Sequence, residues 1–185
     1  MGIKDCSQCL IPHSENGYQY INSKFFEIVE LAKEISEGLA RVALVAEVDG
    51  VVTELSNTVE NDCTVNFLTF DDEAGKAAYR HTTSHILAQA IKRLYPDTKL
   101  AIGPSVDDGF YYDFDFEKSV SNAEFDKIEA EMKKIIKENL PLERFELPRG
   151  EAIKFMEEKG ESYKVELIND LPEDAVISFY KQGEF

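Results

Sequence analysis

A single long helix is the feature that most constrains this chain of 185 residues. The stretch from Glu73 to Leu94 follows the polar pair Asp71 and Asp72, and Pro96 prevents the helix from continuing. Its apolar positions recur at helical spacing and form one stripe: Tyr79, Thr83, Ile86, Leu87, Ala90, Ile91 and Leu94. The helix therefore divides the chain into an N-terminal and a C-terminal segment.

Two of the three histidines of the chain, His81 and His85, lie in this helix. Four residues make just over one helical turn, so both imidazoles are expected on one face, opposite the apolar stripe. Small residues share that face: Ala74, Ala77, Ala78 and Ala88. A solvent-facing helix surface usually carries Lys and Glu, so the alanines predict a pocket wall or a second packing surface.

The histidine pair is compatible with several kinds of chemistry. A zinc site needs further ligands, and a metalloprotease needs His-Glu-x-x-His, which Thr82 excludes. Without a metal, the imidazoles can orient a water and a substrate hydroxyl by hydrogen bonding. Thr82, Thr83 and Ser84 are poor nucleophiles without an orienting acid. A purely structural pair on a helix is the other interpretation.

The N-terminal segment reads as a small α+β unit. Its predicted elements are a turn at Asn16–Gly17, a strand at 18–21, a helix at 24–37 capped by Asn22 or Ser23 and stopped by Gly38, a hairpin of strands 42–48 and 51–55 around Asp49–Gly50, and a strand at 64–70.

The C-terminal segment also mixes strands and helices. Between Phe110 and Phe116, apolar and polar residues alternate, which predicts a strand with Phe110, Tyr112, Phe114 and Phe116 on one buried face. A capping box at 121–124 predicts a helix with core positions Phe125, Ile128, Met132, Ile135 and Ile136. Further predicted elements are a strand at 142–147, a helix at 148–159 that ends at Gly160, a short element from Glu161, and a strand at 176–180. The predicted fold class is α+β.

The net charge of -16 argues against tight, independent binding to a phosphate backbone. A local patch of Arg80, Lys92, Arg93 and Lys99 leaves contact with RNA open. Three cysteines, an odd number, are typical of a reducing compartment. No signal-peptide core and no apolar run of bilayer length are present, so we expect a cytoplasmic protein without membrane contact.

Cys6 and Cys9 form a Cys-x-x-Cys with His13 four residues later. This spacing can bind zinc or act as a redox pair, but no second Cys-x-x-Cys follows. An irregular N-terminal segment over residues 1–15 is the expectation.

From Gly38 onward the chain resembles the N-terminal region of bacterial threonyl-tRNA synthetases. The matching stretches are Gly38-Leu39-Ala40-Arg41, Arg80-His81-x-x-x-His85, Ala101-Ile102-Gly103-Pro104, Asp108 to Asp113, and Gly160 to Val165. The resemblance implies a ubiquitin-like β-grasp module, the TGS module, over 16–72. It also implies an incomplete editing module over 73–185, which in this family hydrolyses serine wrongly attached to threonine tRNA.

The resemblance also assigns roles to residues. It implies that His81, His85 and Lys164 are catalytic, with Lys164 contacting the substrate or the tRNA end, and that Tyr112 and Asp113 bind substrate. No cofactor is expected to be required. Zinc is possible, with His81 and His85 as its ligands. The expected partners are the acceptor end of tRNA, bound weakly by this fragment, and the rest of the synthetase.

The resemblance implies two further parts, a Cys-x-x-x-His half-site shortly after the segment 179–185 and a ligase core, and this chain stops before both. We therefore expect an N-terminal fragment with no ligase activity and little or no deacylation. Pro12 interrupts the place of the family's first strand, so the sheet is expected to be irregular or one strand short there. Two alternatives remain: the corresponding region of a nucleoside kinase, and a tRNA-binding module without enzymatic activity.

Overall fold

A computed structural model describes residues 10–13, 17–20, 26–117 and 120–185. The chain divides into two compact units, residues 1–80 and 81–185. The predicted Cys6-x-x-Cys9 site and the predicted caps Asn22 and Ser23 lie outside the described residues.

Within its described residues the first unit contains seven strands, two helices and the start of a third helix, which is described below. The seven strands and two helices are β1 (Leu10–His13), β2 (Gly17–Tyr20), β3 (Phe26–Glu27), α1 (Ile28–Ile35), α2 (Glu37–Val42), β4 (Val45–Val48), β5 (Val51–Thr53), β6 (Thr58–Val59) and β7 (Cys63–Leu68). Five strands form one antiparallel sheet in the order β1-β2-β7-β4-β5, and β3 pairs with β6. The predicted hairpin at Asp49 and Gly50 is confirmed, since both residues have the positive φ that a type I′ turn requires.

The core of this unit lies between α1 and the sheet. Ile28 and Leu31 of α1 cluster with Ala46 of β4 and Val65 of β7, and all four are almost fully buried. The helix therefore covers one face of the sheet through an apolar stripe, as its spacing predicted.

Two local predictions in this unit were wrong. The helix begins at Ile28 instead of residue 24 and ends at Ile35, and Gly38 lies inside α2. Ser36 explains the break, because its backbone is extended and its side chain accepts a hydrogen bond from the Leu39 amide at 3.0 Å. An extended N-cap of this kind ends one helix and starts the next.

The strand β1 also differs from the irregular structure expected of residues 1–15. Pro12 lies within β1 and pairs with Tyr18 of β2. Because β1 is an edge strand, the missing N–H of proline removes no bond from the interior of the sheet. The described part of the sheet therefore includes a strand at the place where one was expected to be absent or irregular.

The long helix α3 spans Glu73–Leu94, as predicted. The remaining elements are β8 (Lys99–Leu100), β9 (Ser105–Val106), β10 (Gly109–Phe110), β11 (Phe114–Asp115), a 3-10 turn (Asn122–Glu124), α4 (Phe125–Glu138), β12 (Leu142–Leu147), α5 (Arg149–Glu158), α6 (Ser162–Asp170) and β13 (Ile177–Gln182). Three antiparallel pairs connect them: β9 with β10, β8 with β11, and β12 with β13.

The predicted strand from Phe110 to Phe116 is divided between two partners. Phe110 pairs with Ser105 and Phe114 with Leu100, while Asp113 links them through backbone bonds to residues 101 and 102. The alternation of half-buried and exposed side chains nevertheless continues through the whole run. The side-chain pattern was therefore right, although the strand is not continuous.

The core of the second unit includes a cluster formed by α5, α6 and β13. Its buried members are Ala152, Met156, Ile168 and Ile177. The predicted capping box is confirmed at the 3-10 turn before α4, and Ile128 and Ile135 of α4 are buried. Phe125 and Ile136 were wrongly predicted as core, since both are more than half exposed.

In α3 the prediction of the buried face was only partly right. Ala90 and Ile91 are buried, but Tyr79 is exposed, and Ser84, Ala88 and Gln89 are buried instead. No helix among the described residues is long and apolar enough to cross a membrane.

Candidate active site

The histidine pair lies where helical spacing predicts it. The ring centroids of His81 and His85 are 4.5 Å apart, and the rings are tilted by 55°. His81 is exposed, and His85 is half-buried. The pair is therefore neither surrounded by bulk water nor sealed inside the core, and a substrate group can reach it from one side.

The aromatic ring of Tyr180 closes another side of the pair. Tyr180 lies in β13, and its ring centroid is 5.6 Å from that of His85 and 6.2 Å from that of His81, both in edge-on arrangements. No role was predicted for Tyr180 from the sequence. An aromatic residue in a predicted strand was visible, but strand periodicity does not tell which helix the strand packs against.

Lys164, in the first turn of α6, lies close enough for its charge to act on both imidazoles. Its ammonium group donates a hydrogen bond to the Ala101 carbonyl at 2.7 Å. The same nitrogen is 5.6 Å from the ring centroid of Tyr112, within the range of a cation–π interaction. The structure thus brings together four site residues: His81, His85, Lys164 and Tyr112.

Tyr112 is held against the Ala101–Pro104 segment. A Cβ on Gly103 would lie only 2.1 Å from the Tyr112 ring, so no larger residue fits there without movement. The Tyr112 ring also stacks on Phe114, with centroids 4.6 Å apart. Burial, with a smaller effect of Glu161, raises the pKa of Tyr112 to about 12, so its hydroxyl stays protonated.

Asp113 does not share this position. Its backbone is fixed by bonds with Ala101 and Ile102, but its side chain is exposed. Successive residues of an extended segment point to opposite sides, so Tyr112 faces inward where Asp113 faces outward. The substrate-binding role of Asp113 therefore stays a prediction, because its side chain does not lie with the other four site residues.

Ser84 anchors the helix to the same segment. Its hydroxyl donates to the His81 carbonyl at 2.7 Å and lies 3.2 Å from the Gly103 carbonyl. The side chain is fully buried. Ser84 is therefore a structural residue that fixes the position of α3 against the Ala101–Pro104 segment. It is no candidate nucleophile.

Both imidazoles are held in the neutral form. Loss of solvation lowers the pKa of His85 to about 4, and the charges of His81 and Lys164 act in the same direction. For His81, loss of solvation on its protein-facing side is again the larger cause of a lowered pKa, followed by Lys164. At neutral pH the pair can accept a proton or a hydrogen bond.

The same residues give little support for a metal ion. Among the described residues, no group of three or more His, Cys, Asp or Glu side chains could hold one. Two neutral imidazoles are possible ligands, but a zinc site usually has at least three protein ligands. The nearby Lys164 ammonium also opposes a second positive charge. These residues alone do not fit zinc.

Comparison with known proteins supports the division seen in the structure. Residues 26–69 match the TGS domain family. This match lies within the first unit and confirms the β-grasp part of the predicted α+β fold.

Most of the chain is also similar to curated enzymes. The threonine–tRNA ligase of Acetivibrio thermocellus is 70% identical over 158 residues, which cover 85% of this chain and 25% of the ligase. That of Clostridium kluyveri is 60% identical over 171 residues, or 92% of this chain and 27% of the ligase. That of Clostridium acetobutylicum is 65% identical over 156 residues, or 84% and 24%.

The chain spans about a quarter of the length of these curated relatives. The resemblance predicted from its motifs is confirmed: the chain contains a TGS domain and corresponds in sequence to the N-terminal region of bacterial threonine–tRNA ligases.

Proposed function

We propose that this chain acts as the N-terminal part of a threonine–tRNA ligase and that its second unit contributes to a site that hydrolyses serine from threonine tRNA. The observation that carries the proposal is the neutral His81 and His85 pair, which lies near both Lys164 and Tyr180 on an accessible side of α3. The ligase relatives support it over a nucleoside kinase.

The need for such a site follows from the substrates. Serine differs from threonine by one missing methyl group, and a binding pocket discriminates such a difference by only about 10- to 200-fold. A second site that accepts the smaller product and hydrolyses it raises the overall accuracy.

The described residues suit the hydrolysis of an ester. A water oxygen attacks the seryl carbonyl while a neutral imidazole of the pair accepts the water proton. The ester bond then breaks, and the ribose oxygen leaves with a proton. Lys164 places a positive charge beside the reacting group, where it stabilises the negative charge that develops on the carbonyl oxygen. Tyr112 and Asp113 remain the proposed substrate-binding residues.

The proposed modules are a TGS module at 16–72 and an editing module at 73–185. The TGS match at 26–69 and the two compact units support a division into two modules. The compact units divide between residues 80 and 81, inside α3, whereas the proposed boundary lies just before that helix. The proposed partners are the acceptor end of tRNA and the remainder of a ligase. The net charge of -16 favours weak binding of tRNA by this part alone.

We further propose that this chain alone hydrolyses the ester slowly. Its described site holds two imidazoles and an ammonium group, but not the Cys-x-x-x-His half-site that the resemblance implies. Threonine tRNA charged with serine is the substrate for the test, with an intact ligase relative as reference. The expected result is serine release far below that of the reference. Release at the rate of the reference would contradict the incomplete-site proposal.

The binding of charged and uncharged threonine tRNA distinguishes an editing site from a simple tRNA-binding module. The double variant His81→Ala and His85→Ala should bind uncharged tRNA as the wild type does, but should lose any additional affinity that a seryl group provides. If the seryl group adds no affinity in either protein, a non-enzymatic tRNA-binding module is the better description.

A further inference from the structure

We propose that Glu161 is a positioning residue that anchors Lys164 beside the histidines and supplies its counter-charge. This inference rests on the proposed function for its catalytic meaning, but the positioning itself can be measured without any tRNA. No motif chemistry pointed to Glu161, because a glutamate directly after a glycine at a helix end looks like an ordinary surface residue.

The carboxylate of Glu161 is buried, with only 6% of the residue exposed. One oxygen pairs with the Lys92 ammonium group of α3 at 2.8 Å. The other accepts a hydrogen bond from the Leu100 amide of β8 at 3.0 Å. A buried carboxylate is tolerated only when it is paired and hydrogen-bonded in this way, so the arrangement is specific for an acidic side chain.

Glu161 also begins the helix that carries Lys164. Its backbone carbonyl accepts hydrogen bonds from the amides of Lys164 and Val165 at 3.1 and 3.2 Å. The carboxylate is bound to Leu100, and the Lys164 ammonium group is bound to the carbonyl of Ala101, the next residue. The first turn of α6 is therefore attached at two adjacent points of one segment, which fixes where Lys164 can reach.

Glu161 also affects the charge of Lys164, in addition to fixing its position. His81 and His85 of α3 and the ring of Tyr112 lie near it, and none of these supplies a negative charge in its neutral form. Lys92 is a second cation that shares the Glu161 carboxylate. Burial lowers the pKa of Lys164, and the Glu161 carboxylate raises it. Glu161 thus opposes the loss of charge that burial favours.

The test is the titration of Lys164 by NMR on isotope-labelled lysine side chains in the full chain. Glu161→Gln keeps the size of the side chain and an oxygen for the Leu100 amide, but removes the charge. We expect the pKa of Lys164 to fall further below the ordinary lysine value of 10.5. Glu166→Gln, an exposed carboxylate on the same helix, is the matched control and should shift it much less.

A second variant should shift the pKa of Lys164 in the opposite direction. Lys92→Met removes the cation that shares Glu161, so the pKa of Lys164 should rise. A fall in one variant and a rise in the other cannot come from unfolding, which moves both toward 10.5. An unchanged or raised value in Glu161→Gln, or an unchanged or lowered value in Lys92→Met, would overturn the inference.

These outcomes are separate from the proposed function. If serine release and seryl-dependent binding are absent while the two lysine titrations shift as expected, the editing proposal fails and the positioning role stands. If the titrations do not shift while the seryl group still adds affinity through the histidines, the role of Glu161 fails and the editing proposal stands.

Discussion

The ring of Tyr180 stands edge-on to that of His85, with centroids 5.6 Å apart and planes at 72°. This contact joins the strand β13 to the helix α3 and shields His85 on one side. Removal of the Tyr180 ring should therefore expose the His85 imidazole to water. In Tyr180→Ala we expect the pKa of His85 to rise from about 4 toward the ordinary value of 6.5, measured by NMR titration of the ring protons.

Tyr180→Phe serves as the matched control for this experiment, because it keeps the ring and should leave most of the shift in place. Tyr111→Ala removes a tyrosine that is exposed and should have little effect. If Tyr180→Ala leaves the titration of His85 unchanged, Tyr180 does not shield the site.

Lys164 should influence both histidines through its charge. In Lys164→Met, we expect the pKa values of His81 and His85 to rise, because the ammonium group that opposes their protonation is gone. Lys154→Met removes an exposed lysine of α5 and is the control for the loss of one positive charge. Equal titrations in wild type and Lys164→Met would show that the ammonium group is not near the pair in solution.

The stability of the second unit should depend on the protonation of His85. The folded pKa of about 4 lies below the ordinary value of 6.5, so between these pH values the unfolded chain binds a proton that the folded chain does not. The neutral His85 therefore contributes stability that is fully present above pH 6.5 and is lost as the pH falls toward 4. For one group, the free energy of unfolding changes by at most about 1.4 kcal/mol per pH unit.

Urea unfolding at several pH values in this window measures that slope. Many carboxylates also titrate in part of this range, so the informative quantity is the difference between wild type and His85→Gln. The variant should lose less stability on acidification. Parallel stability curves for the two proteins would contradict the lowered pKa of His85.

Gly103 should be intolerant of any side chain. The Cβ of Gly103→Ala would meet the Tyr112 ring at 2.1 Å, so the ring or the loop must move, and we expect destabilisation by about 1–3 kcal/mol. Gly109→Ala is the matched control, since no atom beyond its two chain neighbours lies within 4 Å of a Cβ at that position. Equal free energies of unfolding for the two variants would show that the loop is not packed as described.

Local patterns predicted much of the fold because local chemistry determines them. The limits of α3 follow from its polar start and from Pro96, and the hairpin follows from Asp49 and Gly50, which tolerate positive φ. The capping box at Ser121 and Glu124 satisfies its own backbone groups, so it needs no tertiary contact. The pairing of His81 and His85 is of the same local kind.

Features that depend on distant partners were missed. One local signal was also misread: Ser36, directly after α1, was not recognised as the N-cap of α2 because Gly38 looked like a stop signal. The approach of Tyr180 to the histidines joins residues about a hundred positions apart, and no periodicity encodes it. The burial of Glu161 depends on Lys92 and Leu100, which sequence spacing does not connect to it.

The most direct test of the account is the binding of an adenosine that carries serine through a 3′ amide in place of the ester. This compound mimics the charged end of tRNA and cannot be hydrolysed. NMR titration of the chain should show shifts of the His81 and His85 ring protons that are larger with the seryl compound than with adenosine alone. Equal shifts with both compounds, or none at the histidines, would contradict the proposed site.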